Sequence, residues 1–167
     1  MKNSCLPNPV IIDYDKCTGC IMCGQACSLV KSRTFNPAAA RIRIIDNEDS
    51  GVTVPVVCQH CAEPVCLPVC PTGAISKDHH TGMVRINAET CTNCTSCRKV
   101  CPFAGPMFSP TEKQVAICDH CGGEPTCVSV CPTGALQYRA CEIGDVDERL
   151  MAMGVIRKTI LKKERHQ

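Results

Sequence analysis

The sequence predicts an α+β fold made of repeated strand, cysteine loop, helix and strand units, and three observations lead there. Sixteen of the eighteen cysteines in this 167-residue chain fall into four evenly patterned runs of four. Each run follows a β-like segment and leads towards another, so the cysteine pattern and the strand pattern repeat together. The chain has no Trp, two Tyr and three Phe, too few large side chains to fill a core of this length unaided.

The runs are Cys17-x2-Cys20-x2-Cys23-x3-Cys27, Cys58-x2-Cys61-x4-Cys66-x3-Cys70-Pro71, Cys91-x2-Cys94-x2-Cys97-x3-Cys101-Pro102 and Cys118-x2-Cys121-x5-Cys127-x3-Cys131-Pro132. A cubane of four irons and four sulfides needs one thiolate at each iron corner. Two residues between cysteines let a tight loop reach three corners. The fourth cysteine is expected at the start of a helical turn facing away, where it reaches a neighbouring cluster, as in two-cluster iron–sulfur proteins. The proline that follows ends the turn and returns the backbone towards extended structure. Four runs in two pairs therefore predict four [4Fe–4S] clusters, and a chain that commits sixteen side chains to clusters is expected to move electrons.

The elements follow in order. Val10-Ile11-Ile12 is β-like, a helix is expected from about Ile21 to Lys31, and Arg41 to Ile45 returns to β. Val52 to Val57 leads into the second run. Ala74 to Lys77 and Met83 to Ile86 predict a hairpin, with Asp78-His79-His80-Thr81-Gly82 as its turn. Phe103-Ala104-Gly105-Pro106 is irregular, Gln114 to Ile117 enters the fourth run, and Ala135 to Arg139 leaves it. From Asp145 to about Lys163 the pattern turns helical. Asp145 is a candidate cap with Glu148 as its capping-box partner, and Val146, Leu150, Met153, Ile156 and Ile160 share one face. That face is expected to pack on its own domain, with docking to a larger subunit or another copy as the alternative.

Composition removes several functions. Cysteine at about 11% of a short chain also suits a disulfide scaffold. The first sixteen residues carry no signal-peptide pattern, however, so an oxidising compartment is not expected and the reading is cytoplasmic. Structural zinc shares the C-x2-C pairs, but does not call for four triplets each followed by a fourth cysteine at x3. No stretch approaches the roughly 18 apolar residues of a membrane span. Formal charge is +2, and four clusters at −2 each would bring it to about −6, which argues against nucleic acid. There is no phosphate-binding glycine loop and no Ser/His/Asp arrangement, so no catalytic residues are assigned.

Cys58 to Ile75, Cys97 to Pro106 and the Cys-Pro-Thr-Gly-Ala-Leu that ends at Leu136 resemble the four-cluster ferredoxin-type electron-transfer subunits of molybdenum and tungsten oxidoreductases and hydrogenases. The likeness covers Cys17 to about Tyr138. It implies two ferredoxin-like modules, one inserted into the other: an outer module of residues 1–50 and 110–144, an inner one of 51–109, and a C-terminal helix over 145–167. It also implies crossed ligand sets. One cluster takes Cys17, Cys20, Cys23 and Cys131, and its neighbour Cys118, Cys121, Cys127 and Cys27. In the inner module one cluster takes Cys58, Cys61, Cys66 and Cys101, and the other Cys91, Cys94, Cys97 and Cys70. Phe35-Asn36-Pro37-x3-Arg41-Ile42 resembles the compact companions of tungsten enzymes of the aldehyde oxidoreductase type, such as that of benzoyl-coenzyme A reductase. The implied partner is a larger catalytic subunit. Companions of hydrogenases, carbon monoxide dehydrogenases and formate dehydrogenases share the core, and a free polyferredoxin is a further alternative.

The other polar residues carry weaker expectations. His60 and His120, each between two ligand cysteines, are expected to face solvent rather than tune a cluster. His79 and His80 are expected to be solvated, Arg98 and Lys99 to ease reduction or simply solvate a helical turn, and Cys5 and Cys141 to be small apolar fillers.

Overall fold

The computed structural model describes residues 9–47, 52–140, 145, 153–154 and 156. Among these, the strands form four two-stranded antiparallel sheets, joined by short helices and cysteine loops.

Strand β1 (Val10–Ile12) pairs with β8 (Leu136–Tyr138), Val10 opposite Tyr138 and Ile12 opposite Leu136. The longest pair is β2 (Ile42–Asn47) with β3 (Val52–Val57), which places Pro55 opposite Ile44. With only two strands, each has a free edge, so a proline without an N–H is tolerated there. The predicted hairpin is β4 (Ile75–Lys77) and β5 (Val84–Ile86). In a further pair, β6 (Met107–Ser109) and β7 (Gln114–Ala116), only the second strand is evident from the sequence. Met107 and Ser109 are buried and Phe108 is exposed, but three residues are too short a stretch for that alternation to stand out.

Helix α1 (Met22–Ser32) lies where the sequence places it. It buries Cys23, Gly24, Cys27 and Ser28 and packs against β2 and α3 (Thr126–Ser129). Ser28 occupies the position that is proline after the other three runs, so α1 continues past its fourth cysteine. The buried Ser28 hydroxyl donates to the Gln25 carbonyl and accepts from the Asn36 N–H, which turns the chain towards β2. In the other runs the helical turn comes earlier than expected. Helix α2 (Ser96–Val100) stops at Cys101 and α3 stops before Cys131. Each fourth cysteine closes that turn with its N–H and opens a second, non-helical turn with its carbonyl, Cys101 to Ala104 and Cys131 to Gly134, because the proline after it disfavours helical geometry at the cysteine.

After Cys70 and Cys131 the chain makes the same Pro-Thr-Gly turn, with Gly73 and Gly134 at φ of 64° and 66°. An L side chain is disfavoured at both places, and the turns deliver β4 and β8 equivalently. The core interleaves small aliphatics such as Ile42, Val57, Val84 and Leu136 with the cysteines. A second cluster joins Val54, Val56, Met107 and Ile156. Of the predicted C-terminal helix, only Asp145, Met153, Gly154 and Ile156 lie within the described residues, and all four are helical. Ile156 is fully buried, and the Asp145 carboxylate is held by the Arg139 guanidinium at 2.8 and 2.9 Å. Cys5 and Cys141 lie outside the described residues.

Candidate metal centres

Every loop wraps in the same way. The residue before the second cysteine of each run takes a left-handed conformation: Gly19 at φ 69°, His60 at 44°, Asn93 at 57° and His120 at 50°. Gly and Asn tolerate this region readily; histidine adopts it at some cost. The turn reverses the backbone within two residues, so that both cysteines of the pair face one point.

The loops bring thiols from distant runs together. Cys17, Cys20, Cys23 and Cys131 line one cavity, capped by Ile21, Ile44 and Pro55. Cys70, Cys91, Cys94 and Cys97 line another. Burial pushes the Cys23 thiol up to about 11, and the charges of Cys17, Cys20 and Cys131 push the same way. Burial likewise raises Cys118 to about 12, with Cys27 and Cys121 among its charged neighbours. Cys127 is raised by burial and by Cys118, Cys27 and Cys121. Burial takes Cys66 up to about 11, with Cys101 and Cys61 adding to it, and raises Cys58, on which Cys101 and Cys61 also act. Cys20 and Cys94 are exposed, whereas Cys58, Cys66, Cys118 and Cys127 are buried.

Backbone N–H groups point at sulfur. Arg41 donates to Cys27 Sγ at 3.2 Å, and Gly105 to Cys101 Sγ at 3.3 Å. Such bonds stabilise a thiolate. Around the Cys118–Cys121 loop, charges are matched. Lys31 lies 2.7 Å from Asp119, and Arg41 lies 3.0 Å from Asp119 and 3.3 Å from Glu112. Beside the Cys58–Cys61 loop, Lys77 Nζ donates to the carbonyls of Cys61 at 2.9 Å and Ala62 at 2.6 Å. Nothing in the sequence marks this lysine, because it lies sixteen positions from Cys61 and belongs to no motif.

His60 and His120 differ from expectation. Both are buried, and their rings meet edge to face with centroids 4.7 Å apart. His120 also packs on Tyr138 at 5.6 Å. The left-handed turns aim both rings inward, which spacing alone does not reveal. Burial holds the His60 imidazole down to about 3, and the neighbouring His120 lowers it further. Val84 N–H donates to His60 Nδ1 at 2.9 Å, so the neutral ring carries its proton on Nε2. As expected, His79 and His80 are exposed, as are Arg98 and Lys99.

The residues fit iron–sulfur clusters. Four thiols converge on each of the two cavities, as four-cornered sites require. Among the described residues no three His, Cys, Asp or Glu side chains close in as a single ion needs. A cubane instead holds its thiolates further apart, at separate iron corners. Nε2 of His60 and of His120 is buried without a hydrogen-bond partner. In His60, where Nε2 carries the proton, the orphaned donor costs about 1–3 kcal/mol, and cluster sulfur is an acceptor suited to it.

Comparison with known proteins agrees. Residues 50–140 match the family described as the 4Fe-4S dicluster domain. The chain is similar to the aliphatic sulfonate oxidoreductase polyferredoxin-like subunit of Pyrococcus furiosus, 40% identical over 122 residues that cover 73% of this chain and 70% of that one. It is similar to the B subunit of the anaerobic dimethyl sulfoxide reductase of Escherichia coli, 33% identical over 157 residues, 82% of this chain and 73% of that one. It is also similar to the beta subunit of the NADH-dependent phenylglyoxylate dehydrogenase of Aromatoleum evansii, 36% identical over 153 residues. Those residues make up 87% of this chain and only 34% of that relative.

Proposed function

The protein belongs to the 4Fe-4S dicluster domain family, and from that membership we infer how its cysteines divide the work of an electron-transfer subunit. It carries four [4Fe–4S] clusters, is not itself catalytic, and relays single electrons to or from the catalytic part of an oxidoreductase. When bound, the clusters supply reversible one-electron storage.

The ligand sets cross between runs. Cys17, Cys20 and Cys23 hold one cluster with Cys131, and Cys118, Cys121 and Cys127 hold the next with Cys27. Cys58, Cys61 and Cys66 hold a third with Cys101, and Cys91, Cys94 and Cys97 hold the fourth with Cys70. The observation that carries this reading is that Cys131 lines a cavity with the first run, 104 residues and more away from it in sequence, and not with its own. The nested arrangement, with residues 51–109 forming an inner module, is supported by the pairing of β1 with β8 around the β4–β5 hairpin. The exposed Cys20 and Cys94 belong to two of the sets, and the buried Cys58, Cys66, Cys118 and Cys127 to the other two. A donor or acceptor can therefore approach the first two sets, while the other two pass electrons inside the protein.

The catalytic partner in this reading is a tungsten enzyme of the aldehyde oxidoreductase type, working in the cytoplasm. The Phe35-Asn36-Pro37 segment supports the tungsten type, and the name of the Pyrococcus relative as a polyferredoxin-like subunit of an oxidoreductase supports an oxidoreductase partner. Among the described residues no helix is long and apolar enough to cross a membrane. The test is affinity purification under anaerobic conditions, followed by identification of the large subunit and its metal. Tungsten in stoichiometric amount is the expected result; molybdenum or nickel would replace this partner with one of the other oxidoreductases.

A further inference from the structure

We propose that Lys77 sets the reduction potential of the cluster held by Cys58, Cys61, Cys66 and Cys101, keeping it higher than the same loop would without the charge. The proposal rests on that ligand set. Lys77 does not extend into solvent. Its ammonium is fixed at 2.9 Å from the carbonyl of Cys61 and 2.6 Å from that of Ala62, so the charge is tied to the loop that carries a ligand. It lies near enough to act on His60, in the same loop.

Among the described residues no carboxylate forms an ion pair with Lys77, and its hydrogen bonds go to carbonyls. The cations beside the equivalent outer loop are each opposed by acid, Lys31 by Asp119 and Arg41 by Asp119 and Glu112. The internal repeat supplies a comparison. Cys70 to Lys77 aligns without a gap on Cys131 to Tyr138, so the position of Lys77 on β4 is that of Tyr138 on β8. The register agrees, since Lys77 faces Val84 on β5 as Tyr138 faces Val10 on β1. Tyr138 is neutral and packs on His120 of the Cys118–Cys121 loop. One loop is therefore dressed with a fixed cation, and its counterpart with an aromatic ring.

One-electron reduction adds a single negative charge to a cluster. A positive charge held nearby favours the reduced form, and net charge is among the factors that set cluster potentials. Because Lys77 is only half-buried, solvent weakens the effect without abolishing it.

The experiment is an anaerobic redox titration of the fully loaded chain, followed by electron paramagnetic resonance, on wild type, Lys77→Gln and Lys77→Arg, with iron counted in each. In Lys77→Gln one midpoint should fall while the other three hold. The expected loss is roughly three- to tenfold in the reduction equilibrium, about 30–60 mV at 59 mV per tenfold for one electron. Lys77→Arg should keep the wild-type value, and the midpoint that moves should be the one that Cys101→Ser also moves. Four unchanged midpoints in Lys77→Gln would overturn the proposal. So would Lys77→Arg behaving like Lys77→Gln, or Lys77→Gln failing to load that cluster, since the lysine would then be a clamp and not a charge. Fewer than four cluster signals in the wild type would instead count against the ligand sets, and the two failures are distinct.

Discussion

Replacing Gly105 with alanine should damage one cluster site selectively, because Gly105 has no room for a side chain. A Cβ there would lie 2.7 Å from Cys58 Cα, 3.1 Å from Cys58 Cβ and 3.2 Å from Cys58 N. Ordinary contact begins near 3.4 Å, so the two segments must separate by about 0.7 Å (3.4 less 2.7). The obstructing atoms are mostly backbone, which cannot rotate away as a side chain can. Overpacking of this kind costs about 1–3 kcal/mol. The same movement stretches the Gly105 N–H bond to Cys101 Sγ, 3.3 Å long here, and a bond to a charged thiolate contributes about 1.5–3 kcal/mol. Cys58 and Cys101 belong to one proposed ligand set, so strain at Gly105 falls on a single cluster. The assay is iron and acid-labile sulfide per chain, together with the thermal midpoint, in anaerobic preparations. Gly105→Ala should lose about four iron per chain and melt earlier. Gly24→Ala in α1 is the control: its nearest contact is an ordinary 3.6 Å, so it should load fully. A Gly105→Ala protein with full iron and an unchanged midpoint would refute the close-approach argument.

Three further outcomes are expected. Anaerobically purified protein should contain close to sixteen iron and sixteen sulfide per chain, one for each repeated cysteine; twelve of each would mean that one run holds no cubane, with the first run, which lacks the proline, the one to suspect. Cys131→Ala should perturb the cluster of Cys17, Cys20 and Cys23 and leave the spectrum of the Cys118, Cys121 and Cys127 cluster intact; damage confined to the latter would reject the crossed sets. Cluster loading should improve as pH rises from about 6.5 to 8.5, because burial raises Cys23 and Cys66 to about 11 and Cys118 to about 12, so their protons must leave before iron binds. Reconstitution followed by absorbance checks this, and loading that falls over the same range would contradict it.

Much of the fold was legible because cysteine spacing and strand patterning are local. Helix α1, the β4–β5 hairpin and strands β3, β7 and β8 could be read from the sequence. What escaped depends on contacts that no local pattern encodes. The rings of His60 and His120 turn inward through left-handed backbone, and they meet across sixty residues of chain. The helical turns of α2 and α3 end before Cys101 and Cys131 because proline acts backwards on the residue before it. Strand β6 is too short to show its alternation, and Lys77 reaches Cys61 only after β4 has folded beside that loop.

The internal repeat separates what builds the sites from what distinguishes them. The two segments that begin at Cys70 and Cys131 share Cys-Pro-Thr-Gly-Ala and then an aliphatic residue, and both make a left-handed glycine turn into a strand. These shared residues fix where the thiols go, so they leave little scope for telling one site from another. The segments part at Ser76 and Lys77 against Gln137 and Tyr138. Lys77 brings a cation to its cysteine loop, and Tyr138 an aromatic ring to the equivalent one. A relay whose sites were all alike would have no preferred resting place for an electron. Differences in fixed charge at equivalent positions create one while the cysteine framework stays the same. The residues that give the relay its bias are therefore to be sought where the repeat breaks, not among the cysteines that define it.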